Sequence, residues 1–400
     1  MNSFKKFWLD PRVAQNSQHK RHVTFLELFY DLAFVVFISR INHILINDWS
    51  VNGANSYVPA VIIAYISWMN GSVYYDIHAN NDIRTRFYMF IQMFFIGLMA
   101  RFTHHLLTDD YVYFVFVYGI LQLILAKLWY STGISDKNHR LISTPYSYTF
   151  FISSMIVIIS MFVDENYRLL SLWLSIMLTG FAPYLSYLKK NSKNIKHELL
   201  KEYRISETLV ERMGIFLIII LGESLVSLVS SLEKIHEFRF NEIEYYTIGF
   251  LFMVIGWSNY YEYSNNRDVV YDRKSTVFWY LGHMLLVVGY SLLGIALYYL
   301  GHILMFDEVI STFNYTLGMA VTFILLSSCI ITISLEKNPR CEFGLKADSI
   351  TRLLGISAIT SIVFTTINLD TLYSISAQLI IFSMPIVCGF IYNIRLISKK

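Results

Sequence analysis

Hydrophobic residues in this chain come in long runs separated by short polar breaks. Twelve runs can be drawn, near 23–46, 57–77, 87–107, 111–131, 145–163 and 169–189, then 207–231, 243–263, 275–301, 312–335, 350–367 and 371–394. About 18 or more apolar residues make a membrane span, and these runs exceed the length of barrel strands. In hydrocarbon a helix satisfies every backbone group within its own segment. The pattern therefore predicts an all-α integral membrane protein with about 12 transmembrane helices, most consecutive ones antiparallel neighbours. The longest polar break, 190–206, is a basic linker, and the run Lys-Lys-Asn-Ser-Lys-Asn-Ile-Lys enters it from Lys189 at the end of the sixth span. It divides the spans into repeats of six at 23–189 and 207–394, flanked by an N-terminal segment 1–22 and a tail 395–400. Because six is even, both repeats start on the same side and are expected to be parallel, related by an axis along the membrane normal.

Composition agrees: 55% of residues are hydrophobic and 15% charged, whereas soluble domains hold near a quarter charged. The distribution of charge says more than the net +3, which gives no reason to expect a nucleic-acid partner. With the N-terminus inside, 26 of the 32 Lys and Arg residues fall in cytoplasmic segments and only Arg168, Lys234 and Arg239 on the opposite side. Such a bias sets topology and predicts both termini in the cytoplasm. Arg40, Arg101 and Arg212 remain, all within spans. The first twenty residues lack a hydrophobic stretch ending in a cleavage site, so no cleaved signal peptide is expected. Cys329, Cys341 and Cys388 give no disulfide framework.

Two polar stretches echo each other. Trp68-Met-Asn70 is followed by Tyr74-Tyr75-Asp76, and Trp257-Ser-Asn259 by Tyr260-Tyr261-Glu262. Both sets fit either an aromatic belt at the interface or part of a site. Each is preceded by a helix bearing acids: Glu27 and Asp31, four apart on one face, and Glu211 and Glu223. Charge inside a span is expensive and marks ion or solute pathways, proton relays or locked helix pairs. Glu27 and Arg212 lie near helix ends, where snorkelling or locking helices together is the plain alternative, and Glu211 sits beside Arg212 at the same shallow depth. Asp31 and Glu223 lie deeper, and a permanent ion pair with Arg101 or Arg40 is their expected structural form. Ser224 adds a hydroxyl beside Glu223, and small residues such as Gly214 and Gly222 permit close helix approach. His104 and His105 read as interfacial, and His283 as a core histidine. No Cys/His set has zinc spacing, no glycine-rich phosphate loop occurs, and Gly-Glu-Ser at 222–224 is not a nucleophile elbow. No metal or cofactor is expected.

These residues resemble a known family. The run Glu27-Leu-Phe-Tyr-Asp-Leu-Ala-Phe-Val35 is similar to the ELFFDLVFV signature of the bacterial low temperature requirement protein A (LtrA) family. The run from Glu211 to Ser224 is similar to that family's ERFGLFTIIVLGES stretch, with Met213 in place of the usual Phe. The resemblance covers roughly 20–395 and implies a bacterial inner-membrane protein linked to growth at low temperature. Arg21 with Phe29 to Phe34 is also similar to the Phe-Ser-Asp element opening the first helix of an endolysosomal and bacterial potassium-channel family, with Tyr30 where that family has Ser.

Three functions remain open from sequence. The first, which we expect, is a transporter or channel for a small solute, proton or cation that uses Glu27, Asp31, Arg101, Glu211, Arg212, Glu223 and Ser224. The second is a lipid-handling membrane enzyme, for which Asp76 and Glu262 are the duplicated candidates. The third is a stress-associated scaffold with every buried charge paired. The expected partners are the lipid bilayer and, for the first function, a small cation, proton or small solute; oligomeric state is open.

Overall fold

The computed structural model describes residues 8–13, 22–103, 106, 110–137, 139–182, 205–232, 240–264, 267–303, 310–336, 347–367 and 369–397. The linker up to Arg204, His104, His105 and Cys341 lie outside the described residues. Twelve α-helices occur among the described residues: α1 (Phe25–Asn47), α2 (Val51–His78), α3 (Ile83–Arg101), α4 (Tyr111–Ser135), α5 (Arg140–Ile159), α6 (Arg168–Gly180), α7 (Glu207–Leu232), α8 (Phe240–Ser264), α9 (Arg273–Ile303), α10 (Ile310–Ser334), α11 (Ala347–Thr366) and α12 (Thr371–Ile397). Two 3₁₀ turns lie between α5 and α6, and a single β-bridge joins Val269 to Leu335.

Each helix coincides with one predicted run. Eight of the twelve are long and apolar enough to cross a bilayer. The other four, α2, α3, α6 and α8, are diluted by polar residues or short. α3 carries Arg84, Arg86 and Arg101, and α6 has 13 residues. The chain forms two compact units, residues 1–216 and 217–400.

In the first unit α1 starts at a capping box. Thr24 Oγ1 accepts from the Glu27 backbone N–H at 3.3 Å, and the Thr24 backbone N–H donates to Glu27 Oε2 at 2.9 Å. This reciprocal pairing satisfies two orphan donors of the first turn. The buried face then runs Glu27, Tyr30, Asp31, Phe34 and Ile38, while Phe25, Phe29, Leu32 and Val36 point outward. α2 answers with Trp68, Ser72 and Tyr75 at helical spacing, around Gly71. A Cβ at Gly71 would lie 2.2 Å from the Tyr30 hydroxyl, so glycine lets that ring lie against the α2 backbone.

Hydroxyls hold α4, α5 and α6 together. Ser154 donates to the Gly119 carbonyl at 2.9 Å. Ser175 receives Gln122 Nε2 at 3.0 Å and lies 2.7 Å from Ser153 Oγ. Side-chain bonds of this kind are a main attraction between helices where lipid removes the hydrophobic drive. The described N-terminal stretch is latched to the end of α2 and the start of α3. Leu9 N donates to Asp82 Oδ2 at 2.9 Å, Arg12 Nε to the Ile77 carbonyl at 3.1 Å, and Arg12 N to the His78 carbonyl at 3.0 Å.

In the second unit α10 packs against α8, α9, α11 and α12, and glycines of α9 let α10 approach it. A Cβ at Gly289 would lie 3.0 Å from the Ile324 backbone nitrogen, and one at Gly282 would lie 3.3 Å from that of Ile331. α8 grips α12 around Pro385, which removes an amide donor from that helix. Asn259 Nδ2 donates to the Phe382 carbonyl at 2.8 Å, and Tyr263 Oη to the Pro385 carbonyl at 2.7 Å.

Candidate functional site

The first unit buries a charge cluster between α1, α2 and the start of α7. Arg212 reaches Asp31 with two nitrogens: Nη2 lies 2.7 Å from Oδ1, and Nε lies 3.1 Å from Oδ1 and 3.2 Å from Oδ2. Trp68 Nε1 donates to the same Oδ1 at 2.7 Å. Asp31 is 0% exposed, Arg212 1% and Trp68 0%. Glu27 Oε1 stands 3.6 Å from Arg212 Nη1, beyond hydrogen-bond distance but within ionic reach. A fork-shaped guanidinium matches a carboxylate edge, which fixes orientation as well as charge.

Aromatic rings enclose the pair. The guanidinium carbon lies 5.4 Å from the Tyr30 ring and 5.8 Å from the Trp68 ring, within cation–π range. Phe216 stacks on Trp68 at 4.1 Å with the planes 8° apart. Tyr75 meets Tyr30 edge-on at 5.7 Å and donates to Gln92 Oε1 on α3 at 3.1 Å. Six residues before Arg212, Ser206 accepts the Leu209 N–H at 2.9 Å, as an N-cap side chain does, and lies 2.7 Å from Asp76 Oδ2. The start of α7 is thus pinned to the end of α2 nearly two turns before Arg212 emerges.

The expected partner of Asp31 was Arg101 or Arg40; the structure pairs it with Arg212. Arg40 and Arg101 lie near the C-terminal ends of α1 and α3, while Asp31 lies in the second turn of α1. Helix length alone separates them. Arg40 and Arg101 instead line one cavity of ≈ 1090 Å³. Glu211 is exposed, turned about 100° around α7 from the buried Arg212.

Glu223 is partly buried in the second unit, and Ser224 beside it is buried, bonding the Ile220 and Tyr290 carbonyls at 3.3 Å each. The echoed motifs do not share an environment. Trp68 is enclosed in the core, whereas Trp257 is 42% exposed and stacks on Tyr261. Asn70 bonds the Ile66 carbonyl of its own helix at 2.8 Å, and Asn259 bonds α12. Asp76 meets Ser206, and Glu262 is partly buried. The Tyr pair follows Trp68 by six residues but Trp257 by three, which shifts it by nearly a turn. His283 is a core histidine, with Nε2 3.0 Å from Tyr260 Oη and Nδ1 2.7 Å from the Trp279 carbonyl.

A second buried group went unnoticed in the sequence. The His139 and His78 rings lie 4.6 Å apart, against Trp129, which stacks on Tyr146 at 4.3 Å. Burial pushes the His139 imidazole down to about 4, with Asp136 opposing. Arg84 on α3 donates to Ser131 Oγ on α4 at 2.7 Å. His78 and His139 are 61 residues apart, and no local pattern joins them. Among the described residues no group of His, Cys, Asp and Glu is arranged to hold a metal ion.

Helices of this length and composition, enclosing a carboxylate–guanidinium pair, define a polytopic helical membrane protein. Residues 22–386 match the family model of the bacterial low temperature requirement A protein (LtrA), and the chain belongs to that family. No curated protein and no solved structure matches it.

Proposed function

We propose that the protein is a transporter or channel for a small solute, proton or cation, in which Asp31 and Arg212 form a switchable lock between α1 and α7. One observation carries this reading: a fully buried ion pair in a chain otherwise built from apolar helices. Buried pairs are often no more stabilising than apolar residues of the same volume. Charges kept inside a membrane protein more often serve an ion or solute path. A cation or proton that competes with Arg212 for Asp31 would release α7 from α1 and Trp68. Glu27 stands ready to hold the displaced guanidinium, with Glu211 at the α7 surface, and Glu223 and Ser224 mark the same helix in the second unit. Twelve spans in two parallel six-helix repeats, with both termini in the cytoplasm of a bacterial inner membrane, complete the proposal. The protein is proposed not to be an enzyme.

Flux of cations, anions and small solutes into proteoliposomes tests this directly. The wild type should carry at least one of them, and Asp31→Asn and Arg212→Gln should abolish flux while the protein still folds. If the wild type carries nothing and both variants only lower thermal stability, the second reading holds: a scaffold in which the pair is a permanent clamp. Both Asp31 oxygens meeting Arg212 favours that alternative.

A further inference from the structure

Arg40 and Arg101 are not explained by the lock. Both are exposed, and among the described residues neither guanidinium has a carboxylate partner. They line the same cavity of ≈ 1090 Å³, formed within the first unit by the C-terminal half of α1, the start of α2 and the end of α3. On α1, Arg40 and His43 share a face by their spacing of three; on α3, Gly97 stands one turn before Arg101. A Cβ at Gly97 would meet nothing within 4 Å, so the wall beside Arg101 is open. Asn52 adds an amide, and among the described lining residues Asp48 is the one carboxylate against two guanidiniums. Among these described residues the excess is positive before His43 is counted.

Position makes this charge unusual. The Lys/Arg bias gathers basic residues at the opposite helix ends, so these two arginines run against the trend that places the others. Unpaired guanidiniums in spans are costly and, where kept, face a polar cavity or a counter-charge. Guanidinium forks bind phosphate oxygens two at a time, whether a lipid or a soluble ion carries them. The volume is at the upper end for small-molecule sites and well beyond a bare phosphate. We propose that Arg40 and Arg101 form a binding site for a phosphate-bearing anion. The source of the phosphate is either a lipid headgroup or a soluble ion. This inference does not rest on transport.

Native mass spectrometry of the full-length chain, released from nanodiscs, provides the test. One arm compares phosphatidylglycerol with phosphatidylcholine; the other adds inorganic phosphate to protein in neutral lipid. Retention of phosphatidylglycerol alone identifies a lipid site, and a phosphate adduct or displacement of the lipid by phosphate identifies a soluble-anion site. Arg40→Gln/Arg101→Gln should weaken the retained species by about tenfold or more, the loss expected for charged hydrogen bonds. Arg40→Lys/Arg101→Lys should weaken it less. Gly97→Leu fills the open wall without changing charge and should also expel the ligand. The proposal is overturned if neither species is retained in preference to phosphatidylcholine. It is equally overturned if the glutamine pair and Gly97→Leu, folded as judged by thermal unfolding, bind like the wild type.

Discussion

Asp31 and Arg212 show how little a buried charge reveals about itself until its partner is known. Their types and depth were legible: two acids one turn apart, and an arginine inside an apolar run. The pairing was not, because partner choice depends on which helices adjoin, and 181 residues separate the two. Removing one partner strands the other in a low dielectric, so Arg212→Ala is expected to cost about 3–5 kcal/mol. Replacing both, as in Asp31→Leu/Arg212→Met, should recover much of that loss. Thermal unfolding in detergent measures both, and a double variant as weak as the single one would refute the clamp. Trp68→Phe keeps the ring packed on Phe216 but removes the N–H that reaches Asp31. Its expected cost is about 1.5–3 kcal/mol, that of a hydrogen bond to a charged group.

Helices were the most legible level, because apolar runs and their caps are local. Thr24 with Glu27 announces the start of α1 within the sequence itself. Helix packing was less legible: Gly282 and Gly289 look like any other glycines until α10 lies against them. Alanine at either position is expected to push α9 from α10, since backbone stands 3.3 Å and 3.0 Å from the new Cβ. Gly222 is the control, as a Cβ there meets nothing within 4 Å. Gly222→Ala should be neutral or stabilise by up to about 1 kcal/mol through helix propensity. Melting temperatures should therefore fall for the first two and hold or rise for the third. Asp272 caps the start of α9, taking the Ser275 N–H at 2.9 Å. That bond holds its carboxyl below the usual carboxylate range. Asp272→Ala should cost about 1 kcal/mol.

At the scale of the whole molecule, acid should weaken the fold through His139. Its pKa lies near 4 in the folded chain, below the ordinary 6.5. Between those values the unfolded chain takes up a proton that the folded chain refuses, so stability falls as pH drops from 6.5 toward 4. His139→Asn should flatten that part of the thermal stability profile against pH, and an unchanged slope would rule His139 out as its source. The Asp31–Arg212 pair also sets a schedule for biogenesis. A membrane protein is threaded into the bilayer from its N-terminus as it is made, so Asp31 arrives 181 residues, a little under half of the 400-residue chain, before the arginine that neutralises it. Until residue 212 is synthesised, Asp31 must rely on a proton, on water, or on a chaperone at the insertion site. The first six helices made without α7 should therefore be cleared by membrane quality control, and supplying α7 on a second polypeptide should rescue them.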